Sequence, residues 1–150
     1  MSVKISCLLL VDDEADAVSR TAELLANTKL PVGEVVIANS LGQAITAIMA
    51  KPIDIILLDL DLGDSKSIDT LTAVRAVTDS VIVVLCMSNN ELQGVESLKA
   101  GADDFIMKDA ICEDCLRQTI VKSITMHNIR KTAVKIGDKI DKLTQLVGGI

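Results

Sequence analysis

Ile5-Ser6-Cys7-Leu8-Leu9-Leu10-Val11 runs directly into Asp12-Asp13-Glu14. An almost continuous apolar stretch of strand length, without polar alternation, suits a strand covered on both faces, as in a parallel sheet. Three acids at its end cannot join that core and must stand at an edge. Four more runs repeat the pattern: Val35–Ala38, Ile55–Leu58, Val81–Cys86 and Phe105–Met107. Between them lie stretches of helical spacing, at about 15–27, 40–50, 66–77 and 90–100. A fifth begins near Ile111 and continues towards the end. Five strand-then-helix repeats predict a doubly wound α/β domain. Pro31 with Gly33, Pro52, Gly63 and Gly101 are expected between elements, where chain breakers belong.

The 150 residues suit one globular domain, and 49% hydrophobic content is enough to build a core. The longest apolar run, Val81 to Met87, is far short of a bilayer span. No cleavable leader pattern precedes the first acids, so a cytoplasmic location and reduced cysteines are expected. With one Phe, no Trp and no Tyr, the chain lacks stacking platforms for single-stranded nucleic acid. Its single His, His127, excludes multi-histidine metal sites and is expected on an exposed helix face. Net charge is −6, divided into −9 over residues 1–125 and +3 over 126–150. An acidic body argues against direct binding of nucleic acid and is compatible with a cation site.

All strands of an open parallel sheet point one way, so their carboxyl ends share one edge, where ligands bind. That edge collects Asp12 and Asp13 after the first strand, Asp59 after the third, Cys86 closing the fourth and Lys108 after the fifth. Three carboxylates brought together repel one another unless a cation neutralises them, and a hard divalent ion such as Mg²⁺ suits oxygen ligands. A lysine on the same pocket adds a second positive charge, which fits an incoming phosphoryl group. Asp59, at the tip of its strand, is then the natural nucleophile. Strand-end aspartates more commonly cap the following helix; here it is their joint placement that points to chemistry.

These residues resemble a response-regulator receiver domain. Leu8-Leu9-Leu10-Val11-Asp12-Asp13-Glu14 is similar to its first acidic motif, and Asp54-Ile55-Ile56-Leu57-Leu58-Asp59-Leu60-Asp61-Leu62 to its phosphoacceptor strand. Gly101-Ala102-Asp103-Asp104-Phe105-Ile106-Met107-Lys108 resembles the approach to its lysine. The resemblance covers about residues 4–122. It implies a flavodoxin-like five-stranded sheet of order 2-1-3-4-5 and phosphoryl transfer to Asp59 from a histidine kinase or a histidine phosphotransfer protein. It also implies Mg²⁺ on Asp12, Asp13, Asp59 and the backbone carbonyl of Asp61, with Lys108 pairing with the phosphoryl oxygens. Such a module accepts a phosphoryl group and is not a turnover enzyme. Phe105 takes the aromatic switch position and Cys86 the position where the family usually has Thr or Ser. A thiol is the weaker donor there, and Ser88 could substitute only if its loop shifts. Met87 stands where a small residue is usual, Gly63 replaces a common Pro after the phosphoacceptor, and Asp109 replaces a common Pro after the lysine.

Residues 1–123 thus read as the receiver and 124–150 as a C-terminal amphipathic helix. Met126, Ala133, Ile140 and Val147 share one heptad position, and Ile129, Ile136, Leu143 and Ile150 the other. An apolar heptad favours a coiled coil between two chains, the alternatives being a helix folded back on its own domain and a signalling linker that leads to an effector. Cys112 and Cys115 have Cys-x-x-Cys spacing but no second pair; they are expected on the first turn of the fifth helix. Two other functional classes compete. One is a phosphorylation-independent interaction module, which Cys86 and Met87 keep in view. The other is a haloacid-dehalogenase-type phosphatase, because Asp59-Leu60-Asp61 resembles its paired-aspartate motif, though that family carries the pair on its first strand.

Overall fold

A computed structural model describes residues 3–148. The strands are β1 (Ile5–Val11), β2 (Val32–Ala38), β3 (Ile55–Asp59), β4 (Val81–Cys86) and β5 (Asp104–Met107). They alternate with helices α1 (Ala15–Asn27), α2 (Leu41–Ala50), α3 (Ser67–Arg75), α4 (Glu91–Lys99) and α5 (Glu113–Gly148). The sheet is parallel throughout, in the order β2-β1-β3-β4-β5. Every residue of β3 and β4 is buried, as their unbroken Val, Ile and Leu content requires.

Alternate side chains of the central strands feed two cores. Leu9, Val11, Ile56, Leu58, Ile82 and Val84 pack under α2 and α3, where Leu71 and Val74 are fully buried. Leu8, Leu10, Ile55, Leu57, Val83 and Leu85 pack under α1 and α5, against Leu25, Leu116, Ile120 and Ile124. No helix among the described residues is long and apolar enough to cross a membrane.

Two local expectations are corrected. Gly33 lies inside β2 rather than between elements, pairing with β1 through its neighbours Val32 and Glu34. A β-carbon there would stand 2.8 Å from the Ser6 carbonyl oxygen, so only glycine lets the two backbones approach this closely. Nor is β2 covered on both faces. It is an edge strand, and Val35 and Ile37 remain exposed.

The last helix is continuous across the body and beyond it. At 36 residues it is about 54 Å long at the usual rise. It is buried through Leu116, Ile120, Ser123 and Ile124, after which nearly every side chain faces outward. The folded-back arrangement is therefore not what the chain adopts. Arg130 fastens the point of departure through an ion pair with Asp103, 2.7 Å long. Of the heptad positions, Ile150 lies outside the described residues.

Candidate functional site

The first acidic pair is presented by the end of β1. Asp12 continues the strand pairing by donating its N–H to the Ala38 carbonyl (3.1 Å). Its Oδ1 accepts the Glu14 N–H at 3.0 Å, which turns the chain into α1. This is a turn ahead of the helix rather than a cap, since the N-cap residue is Glu14 and no side chain caps α1, and it uses one carboxylate oxygen only. The other, Oδ2, is buried without an aligned hydrogen-bond donor; the Lys108 ammonium stands 2.8 Å away. Asp13, next in sequence, is exposed.

Asp59 terminates β3 and is 8% exposed. Its Oδ1 accepts the Asp61 N–H (3.0 Å) and its Oδ2 the Lys108 ammonium (3.0 Å). Lys108 opens the single 3₁₀ turn that follows β5, and its ammonium also lies 4.0 Å from Glu14. One oxygen from each of Asp12, Asp13 and Asp59 falls within 4.8 Å of the others. The fold thus gathers residues from three strand ends, far apart in sequence, into one acidic pocket with one lysine in its wall.

Burial pushes the Asp59 carboxyl above its ordinary range, and the neighbouring Asp12 charge adds to this; the Asp61 N–H and Lys108 oppose it. For Lys108 burial works against the ammonium, but pairing with Asp12 and Asp59 outweighs it and holds its pKa above the usual value. One ammonium faces three carboxylates and leaves Asp12 Oδ2 without an aligned donor, so the donor set fits a hard divalent cation such as Mg²⁺.

The remaining predicted positions are close in the fold but outside that cluster. Cys86, at the end of β4, is buried and directs its thiol sideways to the Ile106 carbonyl (3.7 Å) and the Met107 sulfur (3.8 Å). Burial pushes its pKa upward, reinforced by Asp109 and Glu91. The Phe105 ring on β5 packs on Gly94 of α4, where a β-carbon would stand 2.6 Å from it. Ser88 does not turn into the pocket; its N–H and hydroxyl both donate to the Asp109 carboxylate. Met87 is exposed on the same loop.

Sequence reasoning missed Asp64 and Gly94, and it noted Asp109 only as a replacement for Pro without finding its partner; all three shape this rim. Asp64 accepts the N–H groups of Leu41 (2.8 Å) and Gly42 (3.0 Å), pinning the loop after Asp59 to the start of α2. Those two donors hold its carboxyl below the ordinary range. Asp109 clasps the loop after β4 to the turn carrying Lys108, and Gly94 seats Phe105. Their partners lie 11 to 23 residues away, so no local motif announces them. His127 is also corrected: it is half-buried and lines a cavity of about 330 Å³ at the opposite end of the sheet, with Lys4, Lys51, Asp54 and Lys131. Burial lowers its pKa, as does nearby Lys131.

Residues 8–121 match the family described as response regulator receiver domain. Among curated proteins, the chain is 34% identical over 101 residues to the transcriptional regulatory protein CpxR of Escherichia coli (strain K12), covering 67% of this chain and 42% of that one. It is 31% identical over 101 residues to the transcriptional regulatory protein KdpE of Mycobacterium tuberculosis (strain ATCC 25618 / H37Rv), with 67% and 43% covered. The chain therefore spans less than half the length of these relatives. A crystal structure of NtrX from Brucella abortus superposes with a TM-score of 0.78 at 21% identity, over 89% of this chain and 30% of that one. A two-component response regulator from Clostridium difficile does so with a TM-score of 0.68 at 23% identity, over 81% and 96%. The sheet order, the acidic pocket and the matched span agree, and this chain belongs to the response-regulator receiver domain family of two-component systems.

Proposed function

We propose that the chain is a phosphorylation-controlled signalling module in which Asp59 accepts a phosphoryl group from a phosphohistidine on a histidine kinase or a histidine phosphotransfer protein. The observation that carries this reading is the bridge Asp12–Lys108–Asp59 beside Asp13: paired acids and an amine at one sheet edge, with Asp59 at its centre. Asp12, Asp13, Asp59 and the Asp61 carbonyl would hold Mg²⁺, which supplies positive charge to the phosphoryl oxygens when bound. An Asp59 carboxylate oxygen attacks phosphorus as the bond to the donor nitrogen breaks, and the imidazole leaves with that electron pair. Lys108 offsets the negative charge brought into the pocket. Cys86 and Phe105 take the two switch positions. The product is an acyl phosphate formed once per chain, so Asp59 is an acceptor and not the nucleophile of a turnover enzyme.

Incubation with acetyl phosphate and Mg²⁺, followed by intact mass, tests this. One phosphoryl addition to the wild type and none to Asp59→Ala supports the reading; no addition to either sinks it. That second outcome favours a phosphorylation-independent module, a reading supported by the Cys86 thiol bonding to β5. Steady release of phosphate from small phosphoesters would instead favour the phosphatase class.

In this reading residues 1–123 are the receiver and 124–150 a pairing helix. Ile129, Ile136, Ile140 and Leu143 are each more than half exposed along one stripe of α5. An apolar heptad in water is stabilised by a second helix of the same kind, giving a homodimer. The sedimentation mass of the full chain should be that of a dimer, and the chain without 126–150 should sediment as a monomer; a monomeric full chain, or a shortened chain that stays dimeric, rejects the pairing. The acidic pocket and the lack of Trp and Tyr favour protein partners in the cytoplasm over nucleic acid or membrane.

A further inference from the structure

Cys112 and Cys115 are left unused by the phosphoryl site, and their geometry is specific. Cys112 is the residue immediately before α5, its carbonyl accepting the Leu116 N–H (3.0 Å). The Cys115 N–H donates to the Cys112 sulfur (3.2 Å) and the Cys112 N–H to the Cys115 sulfur (3.1 Å). The Cys115 thiol in turn reaches the Cys112 carbonyl (3.4 Å). The two sulfurs are thus folded over the first turn of one helix, each accepting the backbone N–H of the other residue.

The pair is also asymmetric. Cys112 is exposed and Cys115 half-buried. Hydrogen bonds from the Cys115 thiol and then its N–H hold Cys112 below the ordinary thiol range. Cys115 is raised, first by its hydrogen bond to Cys112 and then by burial. An accessible thiol that ionises readily, with a protonated second thiol behind it, is the arrangement of an attacking and a resolving cysteine. Zinc is the weaker assignment. The only group of three or more metal-ligating side chains among the described residues is Asp12, Asp13 and Asp59, so the cysteines have no further protein ligands. Cys7 and Cys86 are buried and raised by burial, which leaves them inert by comparison.

We propose that Cys112 and Cys115 form a redox-active dithiol that reacts with low-molecular-weight disulfides and closes reversibly into an intramolecular disulfide at the start of α5. The Cys112 thiolate attacks one sulfur of the donor disulfide, forming a mixed disulfide and releasing one donor thiolate. Cys115 then loses its proton to solvent and attacks the Cys112 sulfur, releasing the second donor thiolate. Two electrons pass from the protein thiols to the donor, which leaves as two thiols. The closure falls on the connection that carries Lys108 and Asp109, four and three residues before Cys112, yet it does not depend on Asp59 chemistry.

The test uses the reduced full chain incubated with oxidised glutathione, then intact mass and peptide mapping without reductant. The wild type is expected to lose two hydrogens, mapped to a Cys112–Cys115 bridge that dithiothreitol reopens. Cys115→Ser is expected to retain one glutathione on Cys112. Cys112→Ser, where serine preserves the helix cap, should acquire its Cys115 adduct about tenfold more slowly. Wild type that keeps both thiols free, or an adduct that maps to Cys7 or Cys86 instead, overturns the proposal. So do equal adduct rates in the two serine variants.

Discussion

The Phe105 ring lies against Gly94 so closely that a β-carbon on α4 would stand 2.6, 2.8 and 2.9 Å from three of its atoms. No single flexible chain end could yield; the whole ring must rotate. Gly94→Ala adds about 1 kcal/mol of helix propensity, but the overlap costs about 1–3 kcal/mol. The expected result is a net loss of about 1 kcal/mol in urea unfolding, with the ring resonances of Phe105 shifted. A stabilised variant with unshifted ring resonances would show that the seat does not constrain the ring.

Asp59 and Lys108 tie the pocket's stability to its counter-charges. Burial raises the folded-state pKa of Asp59, so its protonated form is favoured by folding. The sign follows: the site is least costly below the ordinary carboxylate range and increasingly costly as pH rises through the folded value. Asp59→Asn should therefore be more stable than wild type at neutral pH without Mg²⁺, and the difference should vanish in acid. Unfolding curves at both pH values check this.

Lys108→Ala removes the one ammonium shared by Asp12 and Asp59, all three side chains being at most 11% exposed. A loss of about 2–3 kcal/mol is expected, because buried carboxylates are left uncompensated. Free Mg²⁺ about tenfold above its dissociation constant should add about 1.4 kcal/mol to wild-type stability. Asp13 is exposed, so Asp13→Asn should leave the Mg²⁺-free protein unchanged and abolish that gain. An equal Mg²⁺ gain in wild type and Asp13→Asn would remove Asp13 from the site.

Ser88 and Asp109 join the loop after β4 to the turn after β5. The hydroxyl and N–H of Ser88 hold the Asp109 carboxyl below its ordinary range. A depressed folded value means the clasp is intact above the ordinary carboxylate pKa and opens only as pH falls through that lower value. Asp109→Ala should speed hydrogen exchange at Ser88 and Asn90 and leave global unfolding nearly unchanged. Unaltered exchange would show that the clasp does not order the loop.

Arg75 and Arg130 both contact Asp103, but with unequal weight. Arg75 donates to the carbonyls of Gly101, Thr78 and Ser80 as well as to Asp103. Arg75→Ala should cost about 2–3 kcal/mol through orphaned acceptors, and Arg75→Lys should not restore it, lacking the planar fork. Arg130 is 60% exposed, so Arg130→Ala should cost at most about 0.5 kcal/mol. Thermal unfolding of the three variants gives the ranking.

The fold was legible because β1, β3 and β4 carry runs of Val, Ile and Leu that only a sheet covered on both faces can bury. Asp12, Asp13, Asp59 and Lys108 were legible because parallel strands bring their carboxyl ends to one edge whatever the intervening loops do. Gly33 misled: glycine breaks strands and also permits close strand pairing, and the sequence cannot say which. The apolar positions of α5 show a helix with a stripe, but whether it folds back or projects depends on how many turns the sheet can cover.

By itself, the order of residues determined the alternating elements, the acids at their ends and the period of the last helix, since these follow from local spacing and side-chain type. Only the tertiary structure decided which oxygen of Asp12 turns the chain towards α1 and which faces Lys108. It also turned Cys86 towards β5 and bound Asp109 to Ser88 and Asp64 to α2. Hydrogen bonds and ion pairs require atoms within about 3 Å, a separation set by the packing of elements distant in the chain.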